Sequence, residues 1–172
     1  MAMRGVGLWL GLSLTLAAQA QEAAVVDPAR VLDPIEGIWQ TVELSEITIS
    51  MCPEGFCGVL SKIVVPREGL SEEEYAAAMA MPPESFADVR NPDPALQSRP
   101  MLGLQILTLL PSVKPNVYDG EIYNPEDGNI YSGYVEMLGP DNIRLNGCVL
   151  YNIICQRQDW VRVIPEPLVE GQ

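Results

Sequence analysis

Short runs in which apolar and polar residues alternate, each closed by a turn signal, recur along most of the chain. A period of two is what a sheet with one buried and one wet face requires. In residues 46–51, Ile47, Ile49 and Met51 alternate with Glu46, Thr48 and Ser50. In residues 142–149, Ile143, Leu145, Gly147 and Val149 alternate with Asn142, Arg144, Asn146 and Cys148. Runs rich in β-formers predict further strands at residues 37–42, 58–65, 102–110, 117–123, 130–138 and 155–163. Segments 52–57, 124–128 and 139–142 carry Pro, Gly, Asn or Asp where hairpins need them, and Asp127-Gly128 tolerates the positive φ of a tight turn. About eight consecutive short strands favour an all-β, antiparallel up-and-down meander, and closing it into a barrel removes its exposed edges. A β-sandwich is the alternative architecture.

One insertion interrupts the strands. Ser71 and Glu74 stand as Ser-x-x-Glu ahead of Tyr75-Ala76-Ala77-Ala78-Met79, a capping box that predicts one short helix, and Pro82-Pro83 ends it. Residues 82–100 are punctuated by prolines, which deny donors to a sheet, so they are expected to form a long loop. Asn91, Asp93 and Arg99 in that loop are candidates to anchor the polar head of a ligand at a barrel mouth. In the competing reading Asn91 and Asp93 bond their own loop backbone and Arg99 pairs with a nearby acid. Tyr123, Tyr131 and Tyr134 either line a cavity or belong to the core.

The N-terminal end has the three parts of an export signal: a lone charge at Arg4, an apolar stretch over residues 6–18, and small side chains at Ala18 and Ala20. Cleavage is expected after Ala20, since the apolar run is shorter than the roughly 17–25 residues that cross a bilayer. The chain then divides into a signal peptide (1–20), a flexible N-terminal arm (21–33), a single β-barrel domain (34–164) and a C-terminal tail (165–172). Formal net charge is −13, and the signal removes one base and no acid. So acidic a surface, whose only lysines are Lys62 and Lys114, argues against nucleic acid and anionic lipid as partners. A periplasmic or secreted protein, monomeric and without a membrane span after cleavage, is the expectation.

Four cysteines fall in two close pairs, Cys52 with Cys57 and Cys148 with Cys155. In an oxidising compartment such pairs read as disulfides. A zinc site is the rival, but its pairs usually enclose about two to four residues, and Cys148 and Cys155 lie further apart than that. All three connectivities are open, and the two local bridges are favoured because the segment within each pair can return the chain beside itself.

The chain contains no histidine, which removes histidine-based triads, histidine metal sites and histidine proton shuttles. Asp119 and Glu121, two apart on one strand face, could form a carboxylate pair, although solvated residues near a turn look the same. Glu126, Asp127 and Asn129 offer oxygens to calcium, yet hairpin geometry already accounts for them. No metal, cofactor or catalytic residue is therefore expected.

Several motifs together resemble a bacterial exported family catalogued as domain of unknown function 2147. They are Asp33-Pro34-Ile35-Glu36-Gly37-Ile38-Trp39, Cys52-x4-Cys57-Gly58, Asn91-Pro92-Asp93-Pro94-Ala95-Leu96, Arg99-Pro100, Gly103-Leu104-Gln105-Ile106-Leu107, residues 120–128 and Cys155-Gln156-Arg157-Gln158-Asp159-Trp160. The resemblance covers residues 33–163 and implies a lipocalin-like, or calycin-like, barrel in the bacterial envelope; it implies no activity. Tyr118 stands where that family usually has tryptophan, and residues 69–87 are longer than usual. Gly37-x-Trp39 also resembles the first-strand signature of lipocalins, whose tryptophan packs at the closed end beneath an arginine of the last strand. Arg157 or Arg162, flanking Trp160, could supply that arginine. The function expected is a non-enzymatic barrel that binds a small apolar or lipid-like molecule, the site drawing on Asn91, Asp93, Arg99, Tyr123 and Tyr131. The alternative is an envelope protein-interaction module with a filled barrel, and a hydrolase is the third reading.

Overall fold

A computed structural model of the protein describes residues 30–149 and 154–164, without the side chains of residues 149, 154 and 155. The expected signal peptide, most of the expected arm and the tail 165–172 lie outside the described residues. Contacts divide the chain into Met1–Val31 and Leu32–Gln172, and the fold belongs to the second unit.

Eight strands run in sequence order around a closed barrel: β1 (Gly37–Gln40), β2 (Glu46–Cys52), β3 (Gly55–Lys62), β4 (Gln105–Pro111), β5 (Val117–Asn124), β6 (Asn129–Gly139), β7 (Asn142–Val149) and β8 (Ile154–Val163). Every neighbouring pair is antiparallel, and β1 pairs with β8 to close the ring. The up-and-down barrel expected from the alternation is therefore the fold, and the sandwich is not. No described helix is long and apolar enough to cross a membrane.

The helix α1 (Glu72–Met79) sits in the β3–β4 insertion. The Glu74 amide donates to Ser71 Oγ at 3.2 Å and the Ser71 amide donates to Glu74 Oε2 at 2.9 Å, the reciprocal capping box. None of its residues is buried, so the cap rather than packing defines its start.

One end of the barrel is closed by its own side chains. Trp39, Phe56, Tyr118, Val135 and Ile143 share a continuous core there with Ile35, which precedes β1. Trp39 is 0% exposed, and its indole N–H donates to the Ile35 carbonyl at 2.8 Å. Tyr118 meets Phe56 edge-on, with centroids 5.7 Å apart, and its hydroxyl donates to Asp33; burial first, and then that acid, push the phenol above its ordinary range. Of the two arginines considered, Arg162 covers the indole, 4.1 Å from the ring centroid, while Arg157 is exposed on the outer face. The Arg162 guanidinium also donates to the carbonyls of Glu36 (2.8 Å), Pro34 (2.6 Å) and Pro140 (2.8 Å). Gly37 is required beneath it: φ is +145°, and a Cβ would stand 2.3 Å from Arg162 Nη1. Trp160 is buried in the same core, further up the barrel.

Two expectations from the alternation are corrected. Met51, placed inward by its period, is 56% exposed. Residues 33–36 cross the barrel end at its level, with the Glu36 carboxylate accepting from the Met51 amide, so Ile35 fills the space instead. Asn146 and Cys148, placed on the wet face, are buried; the Asn146 amide donates to Glu136 and to the Arg144 carbonyl. β3 also ends earlier than expected, at Lys62, because the Val64 amide leaves the ladder for Ser45 Oγ.

Candidate binding cavity

The barrel's two ends differ because the side chains on its inward face change along the strands. Directly opposed residues in an antiparallel ladder share a face. On β7 the inward series runs from fully buried Ile143 through Leu145 to Gly147; on β8 its partners are Trp160, Gln158 and Gln156. Gln156 and Gln158 point inward by register and are exposed, on the part of β8 beyond its pairing with β1. Gly120, Gly133 and Gly147 stand side by side across β5, β6 and β7, and Gly147 is the one of the three with open space where its side chain would stand.

The result is a cavity of about 610 Å³ at the end that carries the β1–β2 loop, the β3–β4 insertion and the β5–β6 turn. That volume lies within the range of roughly 300–1,000 Å³ typical of small-molecule sites. Ile47, Leu60, Ile122, Leu145 and Trp160 form its barrel wall, and Ile63, Phe86 and Met101 from the insertion continue the apolar surface. Polar groups reach it from Thr41, Ser45, Tyr131, Gln156 and Gln158, and the acids Glu43, Glu126 and Asp127 stand in its lining. Tyr131 donates to Asp127, which raises the phenol's pKa. For Asp127, burial acts upward but is outweighed by Tyr131 and by the turn's own hydrogen bonds, so the carboxyl is held below the ordinary range.

Beyond α1, Phe86 and Met101 reach the cavity, while Asp88, Asn91 and Arg99 pack against outward-facing Tyr123 of β5. A 3-10 turn (Pro83–Ser85) leads to an isolated bridge between Ala87 and Pro100, and Asp88 between them is 0% exposed. Tyr123 on the outer face of β5 donates to Asp88 at 2.6 Å, the Asn91 amide at 2.9 Å, and Arg99 at 2.8–2.9 Å. Burial alone would raise this carboxyl, but Tyr123, Asn91 and Arg99 together outweigh it and hold it below its ordinary range. Arg99 stacks 5.2 Å from the Tyr123 centroid. The loop is thereby fastened to the barrel through one buried carboxylate.

Of the five residues expected to bind ligand, Tyr123 and Tyr131 line the cavity, and Tyr123, Asn91 and Arg99 line a separate outer groove of about 490 Å³. Asp93 lines neither; its carboxylate accepts from the Ala95 amide and its own amide donates to Asn91 Oδ1. Asp88, which the sequence reading missed, sits four residues before Pro92 with no local pattern to mark it. Asp119 and Glu121 are exposed on the outer face, and neither lines the cavity. Asp127 Oδ1 accepts from the Asn129 amide and Asn124 Oδ1 from the Glu126 amide, so these oxygens serve the turn.

Cys52 and Cys57 form a disulfide with Cα atoms 5.8 Å apart, so the Cys52, Glu54 and Cys57 cluster offers no thiolate to a metal. Cys148 is disulfide-bonded, and the β7–β8 ladder sets it directly opposite Cys155, whose side chain lies outside the described residues.

A family model described as "Uncharacterized protein conserved in bacteria (DUF2147)" matches residues 37–162, from the glycine under Arg162 to Arg162 itself. The chain belongs to this family. Among solved structures it is similar to one titled "Protein HP1028 from the human pathogen Helicobacter pylori belongs to the lipocalin family", with a TM-score of 0.59 and 20% identity over 78% of this chain and 85% of that one. At that identity the likeness shows the fold, a lipocalin-like barrel. A comparison with curated proteins gave no match.

Proposed function

We propose that this DUF2147 member is an exported, non-catalytic barrel that holds one small, largely apolar molecule in the open end of its interior. The observation that carries the reading is the cavity of about 610 Å³, walled by strand side chains and continuous with a fully packed closed end. A barrel filled throughout would have suited an interaction module better. The absence of histidine from the sequence and the outward position of Asp119 and Glu121 favour binding over hydrolysis. The disulfides and the N-terminal segment fit an oxidising compartment outside the cytoplasm.

Gly147 provides the test. Its Cβ would meet only Ile122 Cδ1, at 3.7 Å, so a side chain there enters the cavity without striking backbone. Uptake of the neutral fluorescent probe N-phenyl-1-naphthylamine should be saturable in the wild type and weakened about tenfold or more in Gly147→Leu, about 1.4 kcal/mol. No saturable uptake by the folded wild type, or equal uptake by both proteins, would remove the cavity as a binding site.

A further inference from the structure

The charged side chains in the cavity lining are all acids. Glu43, Glu126 and Asp127 line it, and no lysine or arginine does among the described residues. Apart from Arg4 in the expected signal peptide, every basic residue of the sequence lies among the described residues. The segment that joins β7 to β8, Leu150-Tyr151-Asn152-Ile153, carries no base, and neither does the tail 165–172. The bases that flank the lining, Lys62 beside Ile63 and Arg67 beside Pro66, are each paired with an acid, Glu46 and Glu72.

The arginines that could have served an anionic head are engaged elsewhere. Arg99 lines only the outer groove and is neutralised there by Asp88. Arg162 is fixed at the opposite end of the barrel, and Arg144 is paired with Asp159 on the outer face. The remaining polar lining is neutral: Gln158 Oε1 accepts from the Trp160 indole at 3.1 Å, which leaves its amide N–H groups as donors, and Gln156 stands beside it without charge.

From this we infer that the cavity selects an amphiphile whose polar end is neutral or positively charged and discriminates against a carboxylate or phosphate head. The inference rests on the proposed carrier function and assigns the ligand class of that same cavity. An alkyl body covers the Ile122, Leu145 and Trp160 wall, while its polar end meets the glutamine amides and the acidic rim. A carboxylate brought to the same depth loses hydration, finds no cation and adds a negative charge beside three others, the costly case for a partly buried ion. A hydroxyl end carries no charge to desolvate, and an ammonium's lost hydration is offset by attraction to the acids, which salt screens.

Three dodecyl compounds that differ only in the head separate these cases: dodecylamine, dodecanol and dodecanoate, each used below its micelle concentration to displace N-phenyl-1-naphthylamine at neutral pH. Dodecylamine and dodecanol should each displace the probe at a concentration at least tenfold lower than dodecanoate. In the variant Glu43→Lys/Glu126→Lys the gap should close or reverse, while neutral dodecanol is unaffected. Equal or tighter binding of dodecanoate by the wild type, or an order unchanged by the charge reversal, overturns the head-group assignment and leaves the carrier reading intact. Failure of the probe and of all three compounds overturns both.

Discussion

Replacing Arg162 by alanine isolates the device that closes the barrel. The guanidinium lies 4.1 Å over a fully buried indole, a desolvated cation–π contact of about 1–2 kcal/mol. Its Nη1 donates to the carbonyl of buried Glu36, a charged hydrogen bond that contributes about 1.5–3 kcal/mol when its acceptor is left dry. The bonds to Pro34 and Pro140 and the 3.5 Å contact to Asp141 are solvent-exposed, and water replaces them at little cost. Arg162→Ala should therefore destabilise the domain by about 3 kcal/mol. At this chain length that corresponds to a fall in Tm of roughly 6–12 °C. Urea unfolding with the disulfides intact, followed by tryptophan fluorescence and extrapolated to water, measures the change. Arg162→Lys keeps the charge without the planar fork and should lose about half as much. Gly37→Ala tests the same contact from beneath: a Cβ 2.3 Å from Nη1 should cost less in the Arg162→Ala background than in the wild type. A loss under about 1 kcal/mol for Arg162→Ala, or additive effects of the two changes, would refute the claim that this contact closes the barrel.

Asp88→Asn should loosen residues 86–103 and lower stability at neutral pH by about 2 kcal/mol, since Asn keeps some of the bonds but not the charge. Because the native carboxyl titrates below its unfolded value, its contribution is present above an unfolded pKa of about 3.9 and is lost as pH falls through the native pKa. The wild type should therefore lose stability at acid pH more steeply than Asp88→Asn, and parallel pH profiles of Tm would contradict the latch. Removing the Cys52–Cys57 bridge as a double serine variant should cost about 2 kcal/mol, as expected for so short a loop, and peptide mapping of the wild type should recover Cys148 joined to Cys155.

The strands were legible because period two is a local property, and so was α1, whose cap is written within Ser71 and Glu74. The choice of Arg162 over Arg157 was not, because the two differ by an odd number of positions and so face opposite sides; only the β1–β8 register, with Trp39 opposite Arg162, tells which is inward. Met51 shows the same limit, since a period says which face a residue takes and not where the barrel ends. The loop's placement depended on Asp88, a lone acid whose partners Asn91, Arg99 and Tyr123 are brought together only by the fold. The competing reading describes Asn91 and Arg99: Asn91 Oδ1 accepts from the Asp93 amide of its own loop, and Arg99 pairs with the nearby acid Asp88.

The separation of the two ends explains how a barrel can keep an open interior and remain folded. Three adjacent glycines serve different needs: a Cβ at Gly120 would lie 1.9 Å from the Thr108 carbonyl oxygen and one at Gly133 2.6 Å from that of Asn146, so these two allow close strand approach. Gly147 has no such neighbour and leaves volume. The closed half holds the continuous core, with Ile35, Trp39, Val135 and Ile143 removed from water and the N-terminal segment fixed by Arg162. Folding free energy is thus gathered at the closed end, and an occupant of the other end would add stability as the logarithm of one plus its concentration over Kd rather than completing the fold. A barrel built this way would stay folded whether or not the proposed ligand is bound, as the carrier reading requires.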